Sequence, residues 1–203
     1  MLTAAGLGPG DAGLLTLRSV EALKNADAVF VPGGIAYDLV LPYAKKIVTL
    51  DFPMTRDESV IAACMEKNAE KIIPVASSGS AVFGLIGDPN YYSTFSRLAE
   101  IVKSKNPAIQ IETIPGISSI TAAASRAEIA VNGAFLVTDG ANEPSTKICM
   151  KVTRPQEKER ELRAEGYTEF IVVERMYMDG EKIHRGTLPE KTHYFSIMIA
   201  GKK

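Results

Sequence analysis

The chain has 203 residues, 46% of them apolar and 23% charged, with a formal net charge of −1. That length is enough to bury a substantial core, and the near-neutral balance, with no clustered Lys and Arg, excludes a broad nucleic-acid footprint. No apolar run nears the roughly 18 residues of a membrane span and no signal-peptide pattern is visible, so a cytoplasmic protein without a membrane partner is expected.

Leu2 to Ala5 reads as a short buried strand that runs into Gly6-Leu7-Gly8-Pro9-Gly10-Asp11, a loop enforced by three glycines and a proline. Thr16 is placed to cap a helix over Leu17 to Asn25, with Leu17, Val20 and Leu23 on one face. Strands are predicted at Ala28 to Val31, stopped by Pro32-Gly33-Gly34, and at Ile47 to Leu50. Thr55 and Glu58 have capping-box spacing before a helix that should run to about Lys71. Val82 to Ile86 is a compact apolar strand ending in Gly87-Asp88-Pro89. A helix with Tyr92, Phe95, Leu98 and Val102 on its apolar face follows, and then a strand from Ile109 to Ile114 ending at Pro115-Gly116.

After a short helix at Ser118 to Arg126 the pattern changes. Strand candidates are Phe135 to Val137, Ile148 to Val152, Phe170 to Val173 and Tyr194 to Ile199, with a charged helix at about Gln156 to Glu165. The last strand sets Phe195, Ile197 and Ile199 against Tyr194, Ser196 and Met198, as in a sheet with unlike faces. Strands alternating with helices imply a largely parallel sheet whose ligand sites lie at the strands' carboxyl ends. The expected fold class is therefore α/β in two domains, residues 1–116 with the glycine-rich loops and residues 117–203 as a second, shorter α/β half.

The first loop invites comparison with dinucleotide-binding loops, but GxGxxG spacing is not kept: position 11 is Asp, and Pro9 removes a backbone donor. Cys64 and Cys149 show no metal-ligand spacing and read as buried reduced thiols, so no metal site is expected. His184 and His193 read as solvated or structural histidines, and no catalytic side chain stands out. Three strand ends do combine, however: the glycine loop, Gly87-Asp88-Pro89 with its carboxylate, and Pro115-Gly116-Ile117-Ser118-Ser119 with its hydroxyls and free N–H groups. Three such ends beside one sheet edge make a pocket.

In their order and spacing these marks resemble the tetrapyrrole methylase family, over nearly the whole chain. Within it, Asp51-Phe52-Pro53-Met54-Thr55-Arg56-Asp57-Glu58 and Gly87 to Leu98 resemble the branch that methylates carbon 20 of precorrin-2 or cobalt-precorrin-2 in cobalamin synthesis. The resemblance implies two α/β domains, usually in a homodimer, with S-adenosylmethionine folded into the cleft between them and a tetrapyrrole as substrate. The implied cofactor contacts are Leu7, Pro9, Asp88, Tyr91, Ser118 and Ser119, joined by Met150 and Met176. Ordinary core packing is the other reading of both methionines. A macrocycle with eight carboxylates calls for guanidinium groups, and Arg56 and Arg97 are the substrate-binding candidates, or else solvated helix residues. Tyr92 reads as core. Other readings left open are a family member acting at another ring carbon and a binding module without turnover.

The chain departs from that branch by being short after Pro32-Gly33-Gly34 and between Asp139 and Ile148, where a helix is missing. The shortened second half bears on the adenine-side contacts and on the dimer contact.

Overall fold

A computed structural model of the chain describes residues 1–133, 135–137, 140 and 144–202. By packing it divides into two compact units, Met1–Phe135 and Leu136–Lys203.

The first unit is a parallel five-stranded sheet, β1 (Leu2–Gly6), β2 (Ala28–Val31), β3 (Ile47–Thr49), β4 (Ala81–Leu85) and β5 (Ile111–Ile114), in the order β3-β2-β4-β1-β5. Its helices are α1 (Leu17–Asn25), α2 (Ile35–Val40), α3 (Glu58–Ser78), α4 (Phe95–Lys105) and α5 (Ser119–Arg126). The central strands are continuous apolar runs because both faces are covered. Phe30, Phe83 and Leu2 pack with Met65, Ile72, Leu98 and Val102 of α3 and α4, while Val29, Val31 and Val82 pack with Leu23, Leu39 and Val40 of α1 and α2.

Several expectations are corrected here. Thr16 caps α1, its Oγ1 accepting the Ser19 N–H at 3.1 Å, but Leu17 is exposed and the helix buries Ser19 and Leu23 instead. α3 is capped by Asp57, whose carboxylate accepts the Ser59 and Val60 N–H groups, rather than by Thr55, which accepts the Asp57 N–H. The helix continues past Lys71 and through Pro74 to Ser78. Tyr92 precedes α4 altogether, is 69% exposed and has a φ of +50°, so it is not core; only Phe95, Leu98 and Val102 bury the helix face. α2 carries no sequence signal beyond the two glycines before it, and α5, on the far side of Gly116, falls within the first unit.

The second unit is a four-stranded antiparallel sheet, β6 (Thr146–Met150), β7 (Glu169–Glu174), β8 (Lys182–Arg185) and β9 (Ser196–Gly201), ordered β6-β9-β7-β8, with α6 (Pro155–Ala164). Leu162, Phe170, Val172, Met198 and Ala200 form its core. The alternation along β9 is real, with Ser196, Met198 and Ala200 the buried set. Phe135 to Val137 form no strand and are exposed. Of the stretch between Asp139 and Ile148, residues 139 and 141–143 lie outside the described residues.

Candidate functional site

β4, β1 and β5 are neighbours and parallel, so the three glycine-bearing reversals leave the sheet side by side at its carboxyl end. Their backbones touch. A Cβ on Gly6 would stand 2.5 Å from the Gly116 nitrogen and 2.7 Å from the Gly87 carbonyl oxygen, and one on Gly116 would stand 2.2 Å from that same oxygen. No side chain fits at either position. Beyond the sheet the first two loops stay joined, the Gly87 N–H donating to the Gly8 carbonyl at 2.7 Å with both glycines at positive φ. From below, the Ser19 hydroxyl of α1 donates to the Gly6 carbonyl at 2.9 Å.

Asp88 ties the second loop to the third. One carboxylate oxygen accepts the Asn90 N–H at 2.8 Å and the other accepts the Gly116 N–H at 3.1 Å. The side chain is buried, and Asn90 in turn donates to Thr113 of β5 at 3.3 Å. Ser118 caps α5, its Oγ accepting the Ile120 N–H at 3.2 Å, and Ser119 opens that helix exposed.

The six cofactor-side candidates of the first unit therefore share one rim, though not in one role. Leu7 is fully buried among Ala5, Val31 and Val40, leaving its main chain for the rim, and its N–H donates to Leu85 at 2.8 Å. Pro9 is partly exposed and Tyr91 exposed. In the second unit, Met150 ends β6 beside Ile197 and is exposed, as is Met176, which stands between Arg175 and Tyr177, both at positive φ. Neither methionine packs in that unit's core.

Arg56 and Arg97 are separated by their surroundings. Arg56 is exposed in the loop between β3 and α3, without a hydrogen bond or ion pair among the described residues, and it lines a cavity of about 460 Å³. Arg97 is paired with Glu58 at 2.9 Å. The loop is anchored by Asn68 of α3, whose amide donates to the Asp51 carbonyl at 2.7 Å and accepts the Asp51 N–H at 3.3 Å. Desolvation, and secondarily the nearby Asp51 carboxylate, push the Cys64 thiol in the cavity wall above its ordinary range. The N–H and O–H groups that Asp57 accepts hold its carboxyl below the usual value.

Sequence reasoning missed Asn90, Asn68 and Glu58. Asn90 had a local signal, an Asp-x-Asn turn; Asn68 and Glu58 act across long sequence separations that no local pattern reports. His184 lies half-buried in β8 of the second unit, and the His193 N–H donates to Glu174 of the same unit. Among the described residues no three His, Cys, Asp or Glu side chains are gathered to hold a metal ion, and no helix is long and apolar enough to cross a membrane. A rim of close-packed backbone with few ionisable groups suits alignment of a bound ligand better than proton transfer to it.

The family profile of the Tetrapyrrole (Corrin/Porphyrin) Methylases matches residues 1–192. The chain belongs to this family. Among tetrapyrrole methylases it is 37% identical, over 132 residues, to the probable cobalt-precorrin-2 C(20)-methyltransferase of Methanocaldococcus jannaschii, covering 61% of this chain and 56% of that one. The chain thus spans little more than half the length of that relative. It is 28% identical over 214 residues to the cobalt-precorrin-4 C(11)-methyltransferase of the same organism, covering 91% and 78% of the two chains. With the cobalt-precorrin-7 C(5)-methyltransferase of Salmonella typhimurium it shares 29% identity over 197 residues, covering 91% and 89%. The solved structure of the methyltransferase CobJ superposes with a TM-score of 0.53 at 20% identity, covering 99% of this chain and 93% of the other, which speaks for the fold.

Proposed function

We propose that this tetrapyrrole methylase is an S-adenosylmethionine-dependent C-methyltransferase of cobalamin synthesis that methylates carbon 20 of precorrin-2, in its metal-free or cobalt form. The observation that carries the proposal is the meeting of the Gly6, Gly87 and Gly116 backbones at the ends of adjacent strands, which gathers the three loops that bear the cofactor-side candidates at the carboxyl end of one sheet, where ligands of such sheets bind. The choice of carbon rests on the Asp51 to Glu58 and Gly87 to Leu98 segments and on the 37% identity with the C(20) relative.

In this proposal Leu7 contributes by its main chain, Pro9 and Tyr91 by contact, and Ser118 and Ser119 by the start of α5. Asp88 holds the rim in shape. Met150 and Met176 add apolar contact from the second unit, Arg56 serves the carboxylates of the tetrapyrrole, and Arg97, the other substrate-side candidate, contributes through its ion pair with Glu58. S-adenosylmethionine, when bound, supplies the methyl group as a sulfonium, so the protein's tasks are to align and to exclude water. The reading includes a cytoplasmic homodimer and requires no protein-bound metal and no nucleic acid.

Incubation with labelled S-adenosylmethionine and cobalt-precorrin-2 under anaerobic conditions should give a labelled product whose new methyl resonance assigns to carbon 20. Label on another carbon would favour a sister specificity, a reading supported by the 91% coverage with the C(11) and C(5) relatives. Cofactor binding with no labelled product would make the chain a binding module.

A further inference from the structure

The loop from Asp51 to Asp57 does more than join β3 to α3. Clasped by Asn68 at one end and by the α3 cap at the other, it forms with that helix the wall of a cavity of about 460 Å³. Phe52, Pro53, Met54, Ile61 and Met65 make most of the lining apolar, and Thr94, at the start of α4, closes one side. Phe52 of the lining meets Phe83 of the core, and Phe83 meets Phe95, with ring centroids 5.8 and 6.0 Å apart. The Asp51–Asp57 loop follows β3 and Thr94 follows β4, so both leave the carboxyl end of the parallel sheet, as the glycine loops do.

Its one unpaired cation among the described lining residues is Arg56. An apolar hollow with a single free guanidinium at its mouth complements a flat apolar group that carries a carboxylate on a short arm. At about 460 Å³ the cavity has the size of a small-ligand site and falls short of an entire octacarboxylate macrocycle. One pyrrole with its acid arms fits both limits.

Arg97 differs because its charge is already matched. Its Nη2 lies 2.9 Å from Glu58 Oε2, which joins the first turn of α4 to the first residue of α3, the helix that supplies Ile61, Cys64 and Met65 to the cavity wall. A substrate carboxylate reaching Arg97 would have to displace Glu58.

We infer that this cavity seats one carboxylate-bearing pyrrole edge of the substrate on Arg56, and that Arg97 acts as a positioning residue through Glu58, so that the seat decides which ring carbon is presented for methylation. The inference rests on the methyltransferase reading above and adds to it a specificity determinant. Once one ring is fixed, rotation of the macrocycle in its own plane is blocked, and only one bridging carbon faces the methyl donor.

The test uses sirohydrochlorin, a stable octacarboxylate tetrapyrrole, with its octamethyl ester as the uncharged control. Arg56→Gln should weaken sirohydrochlorin binding at least tenfold, Arg56→Lys should recover part of the loss, and the ester should not distinguish the variants. Calorimetric affinity for S-adenosylhomocysteine should stay unchanged throughout. In a Cys149→Ser background, bound sirohydrochlorin should slow alkylation of Cys64, which lines the same cavity, several-fold. Glu58→Gln should lower kcat, or spread methylation over more than one carbon, with KM changed less than twofold, and Arg97→Lys should keep the wild-type product. Unchanged sirohydrochlorin affinity in Arg56→Gln, or an unprotected Cys64, would overturn the seat while leaving the methyltransferase reading intact. A wild-type protein that binds S-adenosylhomocysteine but no octacarboxylate would overturn both.

Discussion

The carboxylate of Asp88 accepts the main-chain N–H of Gly116 at 3.1 Å, pinning the reversal after β4 to the reversal after β5. Its other oxygen accepts from Asn90, so both oxygens of this buried group face the protein's own backbone. Removing them leaves two donors without their acceptor, at a cost of about 3 kcal/mol. Asp88→Ala should therefore lose that much stability in urea unfolding and bind S-adenosylhomocysteine about tenfold more weakly, because the rim loosens. Asp88→Asn keeps one acceptor and should fall between. A folded Asp88→Ala variant with wild-type stability would refute the tie.

Gly116 faces a harder limit. The added methyl of Gly116→Ala would lie 2.2 Å from the Gly87 carbonyl oxygen and 2.8 Å from the Gly6 main chain, and backbone on both sides cannot rotate away as a side chain would. A loss of about 3 kcal/mol is expected, together with loss of S-adenosylhomocysteine binding in calorimetry. Gly133→Ala is the control. Nothing lies within 4 Å of its added carbon, and its stability should stay within about 0.5 kcal/mol of wild type.

The parallel half was legible because continuous apolar strands and glycine-ended reversals are local signals, and the rim followed from three such ends on one sheet edge. What Asp88 does was not, since a side chain's direction at a turn depends on the neighbouring strand, here β5. Tyr92 was misread because its spacing extends the face of α4 backwards, while the chain reaches a positive φ there and the helix starts only at Phe95. β8, as Lys-Ile-His-Arg, hid behind the charges that suit an edge strand. In β9 the buried positions include Ser196, which the apolar pattern passed over; its hydroxyl is satisfied by donating to the His193 carbonyl. Arg97 and Glu58 meet only because α3 and α4 pack side by side, which no local window reports.

The start of α3 should respond to acid. Asp57 is held below its ordinary 3.8 first by the Ser59 hydroxyl and then by the Ser59 and Val60 N–H groups. A depressed carboxyl stabilises the fold above its unfolded value and loses that contribution as the pH falls through the lower, folded value. Amide exchange at the first turn of α3 should therefore quicken relative to mid-helix amides below about pH 3.8. Asp57→Asn, which still caps but does not titrate, should remove that dependence while keeping the helix start. Identical acid profiles for the two proteins would show that the charge state of Asp57 contributes nothing to the helix start.

Tyr92 stores strain in the open. Its φ of +50° puts a bulky side chain in the left-handed region, which costs about 1–2 kcal/mol, yet the ring is 69% exposed and recovers little by burial. Strain without compensating packing is more often kept at a ligand site than in a connector, and this loop leads from Asp88 of the rim to Thr94 of the cavity. Tyr92→Asn, which tolerates that backbone, should stabilise the protein by about 0.5–1 kcal/mol in urea unfolding. If the ring lies against the macrocycle, the same variant should bind sirohydrochlorin several-fold more weakly, with S-adenosylhomocysteine affinity unchanged. A variant that gains stability and keeps full tetrapyrrole affinity would leave the strained tyrosine without a role in binding, and one that loses stability would mean the ring's few contacts outweigh the backbone it distorts.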